Sequence, residues 1–137
     1  MPQTGEGIQM DRRIIYTREA PEPIGPYSQA IVSGNLIFSS GQIAIDPKTG
    51  DLIEGDVEVQ AKQVLENLKS VLAAAGGTLD TVLKTTIFLK DMADFPRVNT
   101  VYAGYFSKSM PARSTVEVSC LPKNVLIEID CIAAVAE

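Results

Sequence analysis

The segment Val125–Val135 constrains the fold more than any other part of the chain. Its odd positions are Val125, Ile127, Ile129, Cys131, Ala133 and Val135, and all are apolar. In a β-strand these side chains share one face, so that face must be buried. Its even positions are Leu126, Glu128, Asp130, Ile132 and Ala134. They are too apolar for a solvated face, yet two of them are carboxylates. A sheet containing this strand needs helices on one side and something further on the other.

The helices can be read from spacing. From Asp56 to Ala75, apolar residues at Val57, Ala61, Val64, Leu65, Leu68, Val71, Leu72 and Ala75 form one helical face. Asp56 fits an N-cap, and Gly76-Gly77 ends the helix. Phe95, Val98, Val101, Tyr102, Tyr105 and Phe106 give a second helix from Met92 to about Lys108, with Pro96 near its start. Strands are predicted at Arg12–Arg18, Ser28–Val32, Leu36–Ser40, Thr81–Lys90, Arg113–Val118 and Val125–Val135, from β-branched content and flanking turns. Ser33-Gly34-Asn35 joins two of them as a hairpin. Asp46-Pro47-Lys48-Thr49-Gly50 is a turn, and the prolines of Ala20–Tyr27 hold that stretch extended.

The order βββ-α-β-α-ββ describes an α+β fold, with about six strands and two helices packed on one sheet face. Residues 1–11 are polar and read as a flexible tail, and 12–137 as a single domain. Two helices cannot cover both sides of such a sheet. The second face is therefore expected to be buried against other copies of the chain. The alternative is a mixed, exposed face with scattered apolar residues.

Composition narrows the chemistry. The chain of 137 residues has no histidine, which removes His-based triads, HExxH zinc sites and imidazole proton shuttles. Acid–base work must fall to carboxylates, Lys, Tyr, Cys or water. The cysteines, Cys120 and Cys131, lack CxxC spacing and are too few for a metal cage, so no metal is expected. Both read as small packing residues. A net charge of −5 and scattered basic residues argue against a nucleic-acid-tracking protein and against an anionic membrane surface. The start MPQTGEGIQM has no apolar signal core, so the chain reads as cytoplasmic, with a mitochondrial address left open.

A few residues stand out as chemical candidates. Arg113 follows Pro111-Ala112 at a strand opening, where its fork could bind a carboxylate. A surface ion pair is the ordinary fate of such an arginine. Glu128, between Ile127 and Ile129, is placed to have a raised pKa and to pass protons, with Asp130 as its rival on the same face. A structural salt bridge is the plainer role. Tyr27, at the Gly25-Pro26-Tyr27 corner, either lines a pocket or simply packs. Ser39-Ser40-Gly41-Gln42 permits close backbone approach to a ligand, but is no phosphate loop. Asn99 is either an exposed helix position or a ligand contact.

Four stretches, taken together and in order, resemble the RidA/YjgF family of imine/enamine deaminases, also known as endoribonuclease L-PSP. They are IGPYSQA (Ile24–Ala30), SSGQIAIDPKTG (Ser39–Gly50), KTTIFLKDMADFPRVNTVY (Lys84–Tyr102) and PARSTVEVSCLPKNVLIEI (Pro111–Ile129). The resemblance runs from about Ile15 to the end. It implies a chorismate-mutase-like fold, a homotrimer with clefts between subunits, and no cofactor. The implied reaction is hydrolysis of 2-aminoacrylate and similar imines, the substrates of a 2-iminobutanoate/2-iminopropanoate deaminase, to 2-keto acids and ammonia.

By resemblance, Arg113 grips the substrate carboxylate and Glu128 activates water. Tyr27, Ser40, Gly41 and Asn99 match pocket positions. Thr115 stands where the family often has cysteine, and the stretch from Asn99 to Arg113 is shorter than in typical members. A non-catalytic small-acid-binding or chaperone-like trimer is the alternative on the same scaffold. A ribonuclease or translation inhibitor is a third reading, lowered by the acidity and the missing histidine.

Overall fold

The computed structural model describes residues 11–137. The expected tail falls on residues 1–10, outside the described residues, and on Asp11, which is exposed and precedes the first strand. Six strands form one sheet: β1 (Arg12–Ile15), β2 (Ala30–Ser33), β3 (Leu36–Ser39), β4 (Val82–Leu89), β5 (Ala112–Glu117) and β6 (Ile127–Ala134). The helices are α1 (Val57–Ala75) and α2 (Phe95–Tyr105). In the sheet the strands run β1-β2-β3-β6-β4-β5, antiparallel except for the parallel pair β4–β5. This is the α+β order expected from the sequence.

The last strand, β6, lies in the middle of this sheet, between β3 and β4. Its residues Ile127, Ile129, Cys131 and Ala133 are buried beneath the helices. They meet Leu65, Leu68, Val71 and Leu72 of α1, which lose essentially all their exposure. The α1 ends behave as the sequence indicates. Asp56 accepts from the Val59 amide, and Gly76 takes the left-handed conformation at φ 88° that a side chain disfavours. Arg97 of α2 donates to both Asp56 and Glu58, tying the start of α1 to the second helix.

Most strand boundaries shift by a residue or two from the sequence reading, and three of the differences have a clear local reason. The first strand ends at Ile15 rather than Arg18, because the Gln29 side chain takes the Thr17 backbone: Thr17 N donates to Oε1, and Nε2 donates to Thr17 O. The second helix is shorter. Met92–Asp94 forms a separate 3₁₀ turn whose Ala93 amide is capped by Asp91, and the chain leaves helical geometry at Phe106. The last strand begins at Ile127, because Lys123 and Asn124 sit at positive φ and the Leu126 amide donates to Gln60 of α1. Cys131 is buried as expected, but Cys120 is exposed, since it lies in a loop past the end of β5.

The side of the sheet away from the helices is mixed. At one end, Ile43, Ile45, Leu121 and Val125 form a second small core against Phe88, Val118 and Leu52. Loops of the chain itself therefore cover part of that face. Elsewhere Ile14, Phe38 and Val116 remain 64%, 41% and 40% exposed.

The main core predicts its own sensitivity. Leu68 is 1% exposed on the inward face of α1. Leu68→Ala should lower the unfolding free energy by about 2–5 kcal/mol, read from denaturant titration, because the side chain's contacts are lost and the site collapses only in part.

Candidate functional site

The expected site residues fall into two groups on opposite faces of the sheet. Strand pairing settles the faces. Arg113 pairs with Thr85, and Thr85 is buried beneath α2, so Arg113 shares the helix face. Glu128 pairs with Phe88, which packs into the second small core, so Glu128 lies on the other face. Cross-strand partners share a face, and residues an odd number apart on one strand do not. One copy of the chain does not bring Arg113 and Glu128 together.

The Glu128 group surrounds a pocket lined by Ile24, Tyr27, Ser40, Gly41, Ile43, Pro122 and Glu128, with a volume near 270 Å³. A register change builds it. Phe38 faces Ile132, yet Gln42 faces Ile129, so four steps along one strand span three on its neighbour. The extra residue is a β-bulge at Ser40–Gly41, a device that re-aims side chains. The flanks are pinned: Cys131 N donates to Ser39 Oγ at 2.9 Å, and Gln42 N donates to Ile129 O at 2.8 Å.

Gly41 is required by close approach. A Cβ built there would lie 1.9 Å from Glu128 Oε2 and 2.7 Å from its Cδ. The absence of a side chain lets the carboxyl lie against the bulge. Burial is the main cause holding the Glu128 carboxyl above its ordinary value, and the neighbouring Asp130 adds to it by repulsion. Asp130 is also raised by burial, while Lys84 and Thr86 pull it back. Asp130 faces a separate hollow with Phe38, Lys84 and Ile132, not the Tyr27 pocket. The rival carboxylates thus occupy different surroundings on one face.

Tyr27 folds back on its own corner: its hydroxyl oxygen accepts from Ile24 N, and its amide donates to Gly25 O. A Cβ built at Gly25 would lie 3.6 Å from the Tyr27 ring, which is 48% exposed at the mouth of the pocket.

The second group presents Arg113. Phe95, Asn99 and Tyr102 recur at four- and three-residue spacing, which makes one stripe on α2. The guanidinium lies 5.1 Å from the Phe95 ring centroid and 4.9 Å from that of Tyr102. Its Nη1 donates to Asn99 Oδ1 at 2.8 Å. Tyr102 is itself fixed by a 2.7 Å hydrogen bond between its hydroxyl and that of Thr85. Among the described residues no carboxylate pairs with Arg113; the ion pairs belong to Arg97. Among those residues, then, this arginine does not take the surface-ion-pair role. Thr115 follows on the same face, paired with Ile87, and its hydroxyl is buried with no hydrogen-bond partner among the described residues.

Phe95 and Tyr102 were legible only as helix-face residues, and Gln29, which anchors the Tyr27 loop, only as part of a motif. Nothing in their spacing shows what they touch. No cluster of metal-binding side chains occurs among the described residues. No described helix is long and apolar enough to cross a membrane.

Two outcomes follow from the pocket. The raised pKa of Glu128 means that ionising it costs stability. Its contribution is full below its unfolded value and is lost as pH rises through the folded one. Glu128→Gln should thus gain in melting temperature relative to wild type near pH 7, with the gain fading near pH 4, about the ordinary carboxylate value. Gly41→Ala should keep the fold, because the new methyl meets the end of a flexible side chain. It should push the Glu128 carboxyl outward, and NMR titration should show that carboxyl moving down toward its ordinary value.

Comparison with known proteins agrees with this architecture. The profile of the endoribonuclease L-PSP family matches residues 17–135. A RutC family protein of Pyrococcus horikoshii is 59% identical over 122 residues, covering 89% of this chain and 97% of that protein. The chloroplastic Reactive Intermediate Deaminase A of Arabidopsis thaliana is 48% identical over 122 residues, covering 89% of this chain and 65% of the relative. Among solved structures, E. coli TdcF with bound serine superposes at a TM-score of 0.86 with 42% identity, covering 90% of this chain and 99% of that one. The E. coli YjgF gene product superposes at 0.86 with 47% identity, covering 89% and 98%. The chain belongs to the endoribonuclease L-PSP family, the group that includes the RidA and YjgF proteins.

Proposed function

We propose that this chain is a hydrolytic deaminase of small enamine/imine acids such as 2-aminoacrylate, acting as a homotrimer in clefts between copies. The observation that carries the reading is the Arg113 fork, lying over the Phe95 and Tyr102 rings, held by Asn99 and unpaired with any carboxylate among the described residues. A guanidinium presented this way suits a planar carboxylate from a ligand. The Glu128 pocket supplies the proton carrier. Because the two groups face opposite ways in one copy, a working site needs the Arg113 side of one copy set against the Glu128 side of another. The exposed apolar residues of the open sheet face give copies a surface to share.

The chemistry is light enough for these groups. The enamine tautomerises to an imine, which is electrophilic once protonated. Arg113 fixes the carboxylate, so the reacting carbon is held in place. Water adds to that carbon while the Glu128 carboxylate takes one of its protons. The same carboxyl returns the proton to nitrogen, and the C–N bond breaks with its electron pair leaving on ammonia. The remaining hydroxyl loses its proton to Glu128 and becomes the ketone, and Glu128 hands that proton to the departing ammonia, which leaves as ammonium and restores the carboxylate. A raised pKa suits a group that must both take and give a proton near neutrality. The TdcF structure, solved with serine, shows a relative holding a small amino acid. Ribonuclease activity, which the family description names, finds less support in a chain without histidine at net charge −5.

Purified protein should speed the clearance of 2-aminoacrylate made by a pyridoxal-phosphate dehydratase. Arg113→Ala and Glu128→Gln should each lose that activity. Unfolded together in equal amounts and refolded, the two inactive variants should recover about a quarter of wild-type activity, the fraction of clefts that pair two intact halves in random trimers. A mixture as dead as its parts would refute the shared cleft.

A further inference from the structure

The direction of each hydrogen bond around the Ser40–Gly41 bulge is fixed by the main chain. Gln29 is 1% exposed. Its Oε1 accepts from Thr17 N at 2.7 Å, while its Nε2 donates to Thr17 O at 3.0 Å, to Pro21 O at 2.9 Å and to Ala20 O at 3.4 Å. The residue is therefore clamped. Its own backbone carbonyl receives two donors from the bulge, Ser40 N at 2.9 Å and Ser40 Oγ at 3.1 Å. A carbonyl only accepts, so the Ser40 hydroxyl proton is committed to it. What Ser40 offers the pocket is lone pairs. Tyr27 has the opposite polarity: its oxygen accepts from Ile24 N, which leaves its own proton free to donate.

We infer that Ser40, aimed by the clamped carbonyl of Gln29, acts as an acceptor for an N–H of the substrate's protonated nitrogen and so selects the nitrogen-bearing acid over the keto acid. The inference rests on the pocket reading above and deepens it. A keto oxygen beside Ser40 would set lone pair against lone pair. A protonated imine or amine would donate to it. The discrimination helps the proposed turnover, since the product ketone is held less well than the substrate. Gln29 is a positioning residue here: it touches no ligand, but it decides which way the Ser40 hydroxyl points.

Binding of a matched pair, 2-aminobutanoate and 2-ketobutanoate, measured by calorimetry on the intact protein, tests this without turnover. Wild type should favour the amino acid. Ser40→Ala should cut that preference about tenfold, the weight of one hydrogen bond to a charged group, while leaving affinity for the keto acid unchanged or improved. Ser40→Thr, which keeps the hydroxyl, should restore the preference. Folding of each variant is checked by its melting curve. Arg113→Ala should weaken both ligands together. If both ligands bind through Arg113 and the preference survives in Ser40→Ala, the acceptor role is wrong and the pocket reading stands. If neither ligand binds wild type, or Arg113→Ala changes nothing, both fall.

Discussion

The alternation of β6 is the constraint on which the rest of the structure depends. It is the central strand, between β3 and β4, so its side chains serve both faces at once. Ile127, Ile129, Cys131 and Ala133 hold α1 to the sheet, while Glu128 and Asp130 stand on the far side. A slip of one residue would place two carboxylates under the helix and expose the isoleucines. Burying an ionised carboxylate unpaired is among the most unfavourable changes a core can suffer. The same hydrophobic pattern that fixes the register therefore fixes where Glu128 sits.

The bulge at Ser40–Gly41 adapts this rigid frame to a pocket. Regular pairing would continue β3 along β6 and leave no room beside Glu128. One extra residue breaks the ladder, and Ser39 and Gln42 close it again on either side. Within the gap, Gly41 yields its side-chain space to the Glu128 carboxyl. The carboxyl is desolvated by the pocket wall and not by the main core, which leaves it raised yet reachable. An electrostatic property thus follows from a register change.

Much of this was legible in the sequence. The Asp56 cap, the stripe of α1 and the Gly76 stop are local signals, and local signals survive folding unchanged. The inward and outward sets of the last strand could also be read, because period two leaves only two assignments. What escaped depends on contacts between distant segments. Gln29 stops β1 early by binding Thr17, and no propensity reports that. Phe95 and Tyr102 show their helical spacing but not the guanidinium lying on them. Cys120 reads as a packing residue in the sequence, which does not reveal that its loop faces solvent. The two-part arrangement of the site depends on strand pairing, which periodicity does not supply.

The separation of Arg113 from Glu128 also has a consequence for their charges. Had they met within one copy, the fork would have closed on the carboxyl, lowering its pKa and spending the arginine's donors. On opposite faces, each keeps what the proposed reaction needs: the arginine a fork that no carboxylate among the described residues takes, the glutamate a raised pKa. In the proposed cleft between copies, a substrate carboxylate would take the fork before Glu128 could, and Asn99 already holds one of the fork's N–H groups in place. Keeping two complementary charges apart by the thickness of a sheet, until a third group lies between them, is a use of topology that requires no strain in either residue.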